Sequence, residues 1–404
     1  MSIFYLTFIL LAVYFSYRYD GIEEYNSHKQ HRLWLMCAYL VCLSGFSYGL
    51  GGDKFTYMDE FERYPDSFSE VGNEIWIQFM LKGQMPLWTL LNIACKTFFH
   101  SFYAVQFVES AAINIAVCYL VSKYTHRYFL FMIIYFFTLQ YFIFNTEVMR
   151  EGLAISFALL GMHAYMSGKK WLFFVLLPLG ILFHISAAVA LVFPFVKFKM
   201  SWKTLCVAFF VAFSIWLLSD LILGKVMIAM LGGMGALVEK ILYYSLHAST
   251  IFGFLRNAIT YLIFPFIIMY SPTSTEQSGE LRKCKEKMMS FMIVLAILSS
   301  SLAGFNRVYN YTQIFYLIMF ADFLYMLFQV KKHFIIRVAT LAGTVFLLLC
   351  NYFIHYKTTN TYYWQFFYPY TCILNEDKSV YIREIAHGEA VADEEKDNNV
   401  REIQ

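Results

Sequence analysis

Charge is scarce in this chain. Asp, Glu, Lys and Arg make up 15 % of its 404 residues, against about 25 % in average soluble domains. That shortage excludes disordered and most soluble classes. Net charge is only +3, so nothing favours nucleic acid as a partner. Seven prolines and 20 glycines are too few for a collagenous or linker-rich chain. The eight cysteines, at 37, 42, 95, 118, 206, 284, 350 and 372, show no CxxC spacing. They read as small buried hydrophobes rather than a disulfide or zinc framework. Met1–Tyr17 lacks a basic amino-terminal region and a small-residue cleavage site, so it reads as a first spanning helix, not a removed signal. No internal repeat is present.

What is abundant is apolar and aromatic surface. Apolar residues reach 59 %, and 43 Phe, 31 Tyr and 7 Trp make one residue in five aromatic. A soluble fold could not hide that much, and Tyr and Trp in such numbers suit interfacial belts. Apolar runs able to cross about 30 Å of hydrocarbon fall near 2–17, 33–50, 103–121, 128–144, 151–167, 203–223, 251–270, 288–303, 311–330 and 334–353. The expected fold is therefore an all-α polytopic membrane protein with about ten spanning helices. It occupies 1–374, with an acidic soluble tail over 375–404.

Placing the amino terminus outward puts more than half of the 31 basic residues into short inward loops. Two consequences follow. Lys169–Lys170 and Lys197–Lys199 both belong inside, so Trp171–Val196 must go in and come back. One straight helix would reach about 39 Å and emerge on the wrong side. A re-entrant hairpin of short helices, turning near His184-Ile185-Ser186, satisfies both ends. Segment 74–99 then cannot cross, and reads as two short helices at the outer interface.

Against this apolar background a few polar residues have no topological reason to be where they are. Arg150 sits between two apolar helices on the outer side. There a guanidinium adds to the positive end of a helix, which makes a ready phosphate site. The competing reading is an arginine paired to Glu147 or Glu151. Arg307 and Arg256 occupy the same outward setting, and the three together would clamp a pyrophosphate. His184, at the expected turn, could accept a hydroxyl proton, with Ser186 capping the returning arm. The first outward loop, Gly51 to Pro65, places Asp53, Asp59, Glu60 and Glu62 beside Tyr57, Phe61 and Tyr64. Carboxylates bind sugar hydroxyls and aromatics stack on sugar faces. No histidine lies near those carboxylates, and neither a metal nor another cofactor is expected.

The order of these features resembles the EpsG-type branch of Wzy polysaccharide polymerases. Gly51, Asp53 and Tyr57 resemble its Gly-x-Asp-x-x-x-Tyr element. Arg150-Glu151-Gly152-Leu153-Ala154 resembles its Arg-Gln-x-Leu-Ala, with Glu151 where the family usually has glutamine. His184-Ile185-Ser186-Ala187, then Arg307 with Tyr311, then Pro369-Tyr370, complete the series. The likeness spreads over roughly 45–370, and the acidic tail has no counterpart in it. It implies a metal-independent glycosyltransferase of a bacterial inner membrane, with its site facing the periplasm. A growing glycan would move from undecaprenyl pyrophosphate onto a lipid-linked repeat unit. Arg150, His184, Asp53 and Glu147 would be catalytic. Arg307, Arg256, Tyr57, Glu151, Ser186, Tyr311 and Tyr370 would bind substrate. Implied partners are the undecaprenyl-pyrophosphate-linked oligosaccharide, membrane lipid and a chain-length regulator protein. An O-antigen ligase, or a flippase of the lipid-linked unit, are the alternatives. The general base stays open among His184, Asp53 and Glu147.

Overall fold

The computed structural model describes residues 3–198, 201–219, 250–269, 279–302, 305–329 and 366–374. The expected span 334–353, residues 220–249 and the tail 375–404 lie outside the described residues. Fourteen helices are named here. They are α1 (Ile3–Tyr19), α2 (Ser27–Gly45), α3 (Asp53–Arg63), α4 (Val71–Lys82), α5 (Pro86–Phe99), α6 (Phe102–Tyr124) and α7 (Tyr128–Phe137). Then come α8 (Gln140–Glu147), α9 (Met149–Met166), α10 (Lys170–Phe183), α11 (Trp202–Leu217), α12 (Ile251–Ile268), α13 (Gly279–Ser301) and α14 (Asn310–Gln329).

The protein is a helical membrane protein, and the described residues do not support the expected count of about ten spans. By length and composition two described helices qualify, α6 and α12, and a third if the bent pair α7–α8 is one span. Other apolar helices are too short (α1, α10 and α11 have 17, 14 and 16 residues). Others carry several charges, as in the basic first half of α13. Large apolar side chains remain exposed along α1 (Leu10, Val13) and α11 (Val207, Phe210, Leu217), as lipid-facing surfaces require.

Run 128–144 is not one straight helix. Leu139 takes a left-handed conformation (φ 62°), and α7 and α8 meet at 78°. Helix α8 then widens into a π-turn over Ile143–Glu147. A buried polar seam runs beside that bend. Ser44 Oγ and Asn114 Nδ2 both donate to Asn145 Oδ1, at 3.0 and 2.7 Å. Gln106 Nε2 donates to the carbonyls of Ser44, Gly45 and Ser47 at the end of α2. The seam ties α2, α6 and α8 together just below the site.

The stretch after α9 does reverse. Helix α10 leaves its Lys170 end beside Tyr165 and stops at His184, whose backbone is extended (φ −155°, ψ 128°). A 3-10 arm, Ile185–Val192, returns so that Phe193 packs on Tyr165, Phe173 and Phe291. At that same end Lys287 donates to the carbonyls of Pro194 and Val196, and Lys285 bonds Asp322 at 2.7 Å. Segment 74–99 forms the helices α4 and α5, broken at Gly83 (φ 61°), with Pro86 at the first turn of α5.

Candidate active site

The first outward loop is the main departure from expectation: residues 53–63 form a helix. Lys54, Tyr57 and Phe61 are its buried positions, three and seven apart, which is one helical face. Its start is fixed by Glu147, whose carboxylate accepts from the amides of Gly52 (2.7 Å) and Asp53 (3.4 Å). A carboxylate there satisfies orphan amides and the positive helix end together. Gly51 permits the approach. Its φ is +89°, and a Cβ would lie 2.7 Å from Thr146 Oγ1 and 3.1 Å from Glu147 Oε1. On the other side residues 366–373 pair with 46–51, through Tyr48 N to Thr371 O (3.0 Å) and Gly51 N to Phe366 O (3.0 Å).

Arg150 lies in the first turn of α9, half-buried. Its guanidinium sits 5.4 Å from the Tyr57 ring centroid and hydrogen-bonds the Tyr57 side chain. The expected alternative, a pair with Glu147 or Glu151, is not formed. Among the described residues no carboxylate comes within 4.0 Å of it. Glu147 is held by α3 instead, and Glu151 accepts from Asn310 Nδ2 at 3.3 Å. Arg307, in the 3-10 turn Phe305–Tyr309, faces both carboxylates electrostatically. Tyr57 is held by its OH on the Glu147 carbonyl (3.4 Å) and by an edge contact with Trp88. Burial pushes its phenol up, so it stays a neutral donor.

His184 takes the capping role expected of Ser186. Nδ1 of His184 accepts from the Ser186 amide (3.3 Å), so the histidine, not the serine, caps the 3-10 arm. Ser186 Oγ lies 2.5 Å from that nitrogen and 2.7 Å from the hydroxyl of fully buried Tyr311. This chain pins the hairpin tip to the start of α14, one residue from Asn310 and hence to Glu151.

Two expected members are held differently from expectation. Arg256 was placed at a helix opening, but α12 begins at Ile251 with Thr250 as its cap. That moves Arg256 into the second turn, exposed, where its guanidinium bonds the Asn257 side chain. From there it faces Tyr261, which packs on Tyr309 of the Arg307 turn at 4.7 Å between ring centroids. Tyr370 packs on Phe4 and Tyr5 of α1, at 5.2 and 5.4 Å between ring centroids, because the 366–374 segment is spent on bracing the Gly51 turn.

Lys54 and Glu109 were not anticipated. Both are wholly buried. Lys54 Nζ donates to Ser47 Oγ (3.2 Å) and feels Glu109 and Glu147. Burial pushes its ammonium down to about 7. Neither Glu109 oxygen has a hydrogen-bond partner. Its Oε1 abuts Gly152, where a Cβ would lie 2.7 Å away. The signal was faint: two charges 55 positions apart, one of them inside a stretch read as a loop.

The arrangement thus sets Arg150 with Tyr57 and Glu60 and Arg307 with Glu147 and Glu151, joined by the Tyr57 hydroxyl on the Glu147 carbonyl, on elements locked by the seam and the hairpin tip. It can hold a polyanion at a helix amino terminus and offers carboxylates beside it. Among the described residues no group of three or more His, Cys, Asp or Glu is placed to hold a metal. The model of the EpsG family matches residues 32–372. No curated protein and no solved structure matches the chain.

Proposed function

The chain belongs to the EpsG family, and from that membership and the site's geometry we propose that it is a polysaccharide polymerase. The observation that carries the reading is Arg150, a guanidinium at a helix start with no carboxylate on it. An arginine inside an apolar domain is costly unless something anionic uses it. A pyrophosphate-linked glycan is the substrate class that fits. The site would face the periplasm, as the distribution of Lys and Arg favours.

In the proposed reaction the bond between the anomeric carbon and the pyrophosphate oxygen breaks, and the undecaprenyl pyrophosphate leaves with the electron pair. Arg150 and Arg307 hold the charge that develops on it. A hydroxyl of the terminal sugar of a second lipid-linked unit forms the new bond to that carbon, and its proton passes to a carboxylate. We assign that base to Asp53. Its side chain is exposed on the first turn of α3, beside the Glu147 carboxylate that accepts from the Gly52 and Asp53 amides. Tyr57 positions Arg150. Glu151, Ser186, Tyr311 and His184 keep Arg307 and the hairpin tip in register.

The test uses purified protein in lipid nanodiscs supplied with lipid-linked repeat units. Wild-type protein is expected to release undecaprenyl pyrophosphate and build a ladder of glycans, and Asp53→Asn to lose activity by roughly 10²-fold or more. Full activity in Asp53→Asn would remove it as base. Absence of any ladder, with glycan appearing only on a lipid A core acceptor or with units merely crossing the bilayer, would overturn the polymerase reading in favour of a ligase or a flippase.

A further inference from the structure

At the end of the bundle opposite Arg150, two cavities share Trp34 and Tyr119 and so form one slot between α2, α6 and α9. One part, about 360 Å³, is apolar and opens on the side of the bundle, with Ala112, Ile115, Ala116, Phe157 and Leu160 in its walls. The mouth, about 520 Å³, is polar, with Glu24, Lys29, Gln30, Lys123 and His126. Both volumes lie within the range of ligand cavities.

Charge decides the occupant. Most ionic groups at the mouth are already engaged. Arg127 bonds Glu23 at 2.5 Å. Lys29 Nζ donates to the carbonyls of Ile22 (2.7 Å) and His126 (2.6 Å). Burial beside Lys29 and Arg127 pushes His126 down, towards its neutral form. Two charges are left over, Lys123 and Glu24. Neither has an ion-pair partner within 4.0 Å among the described residues, and they do not pair with each other. Lys123 is also steered, its Nζ lying 5.4 Å from the Tyr119 ring centroid at the junction of the two parts.

We propose that this slot binds one glycerophospholipid with a primary-ammonium headgroup, a phosphatidylethanolamine. An acyl chain fills the apolar part, the phosphate meets Lys123, and the ammonium meets Glu24. A phosphatidylglycerol offers Lys123 the same phosphate but leaves Glu24 without a counter-charge. A phosphatidylcholine has no N–H to donate to a carboxylate.

Full-length protein, delipidated in detergent, is titrated with phosphatidylethanolamine, phosphatidylglycerol and phosphatidylcholine of identical chains and followed by native mass spectrometry. One phosphatidylethanolamine per chain is expected, retained about threefold to fivefold better than the other two, the scale of one exposed charge pair. Glu24→Lys, an exposed change that leaves the fold intact, is expected to reverse the preference towards phosphatidylglycerol. Ala116→Trp is expected to abolish retention by filling the slot, and Ile115→Trp serves as a second filling variant should Ala116→Trp fail to fold. Equal retention of the three lipids, an unchanged preference in Glu24→Lys, or displacement of phosphatidylethanolamine by undecaprenyl phosphate at equal concentration would overturn the proposal.

Discussion

Lys54 shows how much a single side chain can carry here. Its ammonium is pushed down to about 7 by burial, against about 10.4 for a lysine in water. Above about pH 7 the folded chain gives up this proton while the unfolded chain keeps it, so stability at this site rises with pH. Below that pH both states are charged, and the folded state bears the full cost. Lys54→Met keeps the stem and removes the titration. The melting temperature of wild type minus that of Lys54→Met is therefore expected to grow between about pH 7 and about pH 9. Parallel curves would show that the lysine is not held as described. Gly51 is the second residue whose chemistry is forced. Gly51→Ala puts a Cβ against Thr146 at a φ of +89°, and is expected to cost about 1–3 kcal/mol in thermal unfolding and to displace Glu147 from α3. The charged residues of the site were legible because charge is rare in this chain. Arg150 stood out for lack of any other reason to be there. Lys54 and Glu109 did not, because their burial depends on contacts between residues far apart in sequence.

Elements were legible where loop charge constrained them. Two lysine pairs required a reversal between α9 and α11, and the chain reverses at His184. The break between α7 and α8 had no such marker. Residues 128–144 are almost wholly apolar, and Leu139 turns left-handed with neither glycine nor proline to announce it. Helix α3 was missed because Gly51-Gly52 and Pro65 bracket a polar stretch that also suits a loop. The α8–α9 junction depends on Gly152, whose missing Cβ would meet the Phe144 carbonyl and Glu109 Oε1, each at 2.7 Å. A backbone carbonyl cannot swing away, so Gly152→Ala is expected to destabilise by about 1–3 kcal/mol, read as a lower melting temperature at unchanged helix content. The hairpin tip is expected to behave as one unit. In a double-mutant cycle Ser186→Ala and Tyr311→Phe should lose less together than the sum of their separate losses, by about 0.5 kcal/mol or more. Strict additivity would mean that the Oγ–OH contact carries nothing.

At the scale of the molecule, two ends of one bundle do different work. One end gathers Arg150, Arg307 and their carboxylates. The other is clasped by Arg127, Asp20, Lys285 and Asp322. Beneath the site the amide groups of Gln106, Asn114 and Asn145 join α2, α6 and α8. The central claim is that Arg150 serves the pyrophosphate. Its most direct test is the glycan profile of cells lacking the native gene and expressing Arg150→Ala at wild-type membrane levels. Single repeat units with no ladder are expected, since loss of one such charge-stabilising group costs roughly 10²–10³ in rate. A ladder of wild-type length from that variant would contradict the claim.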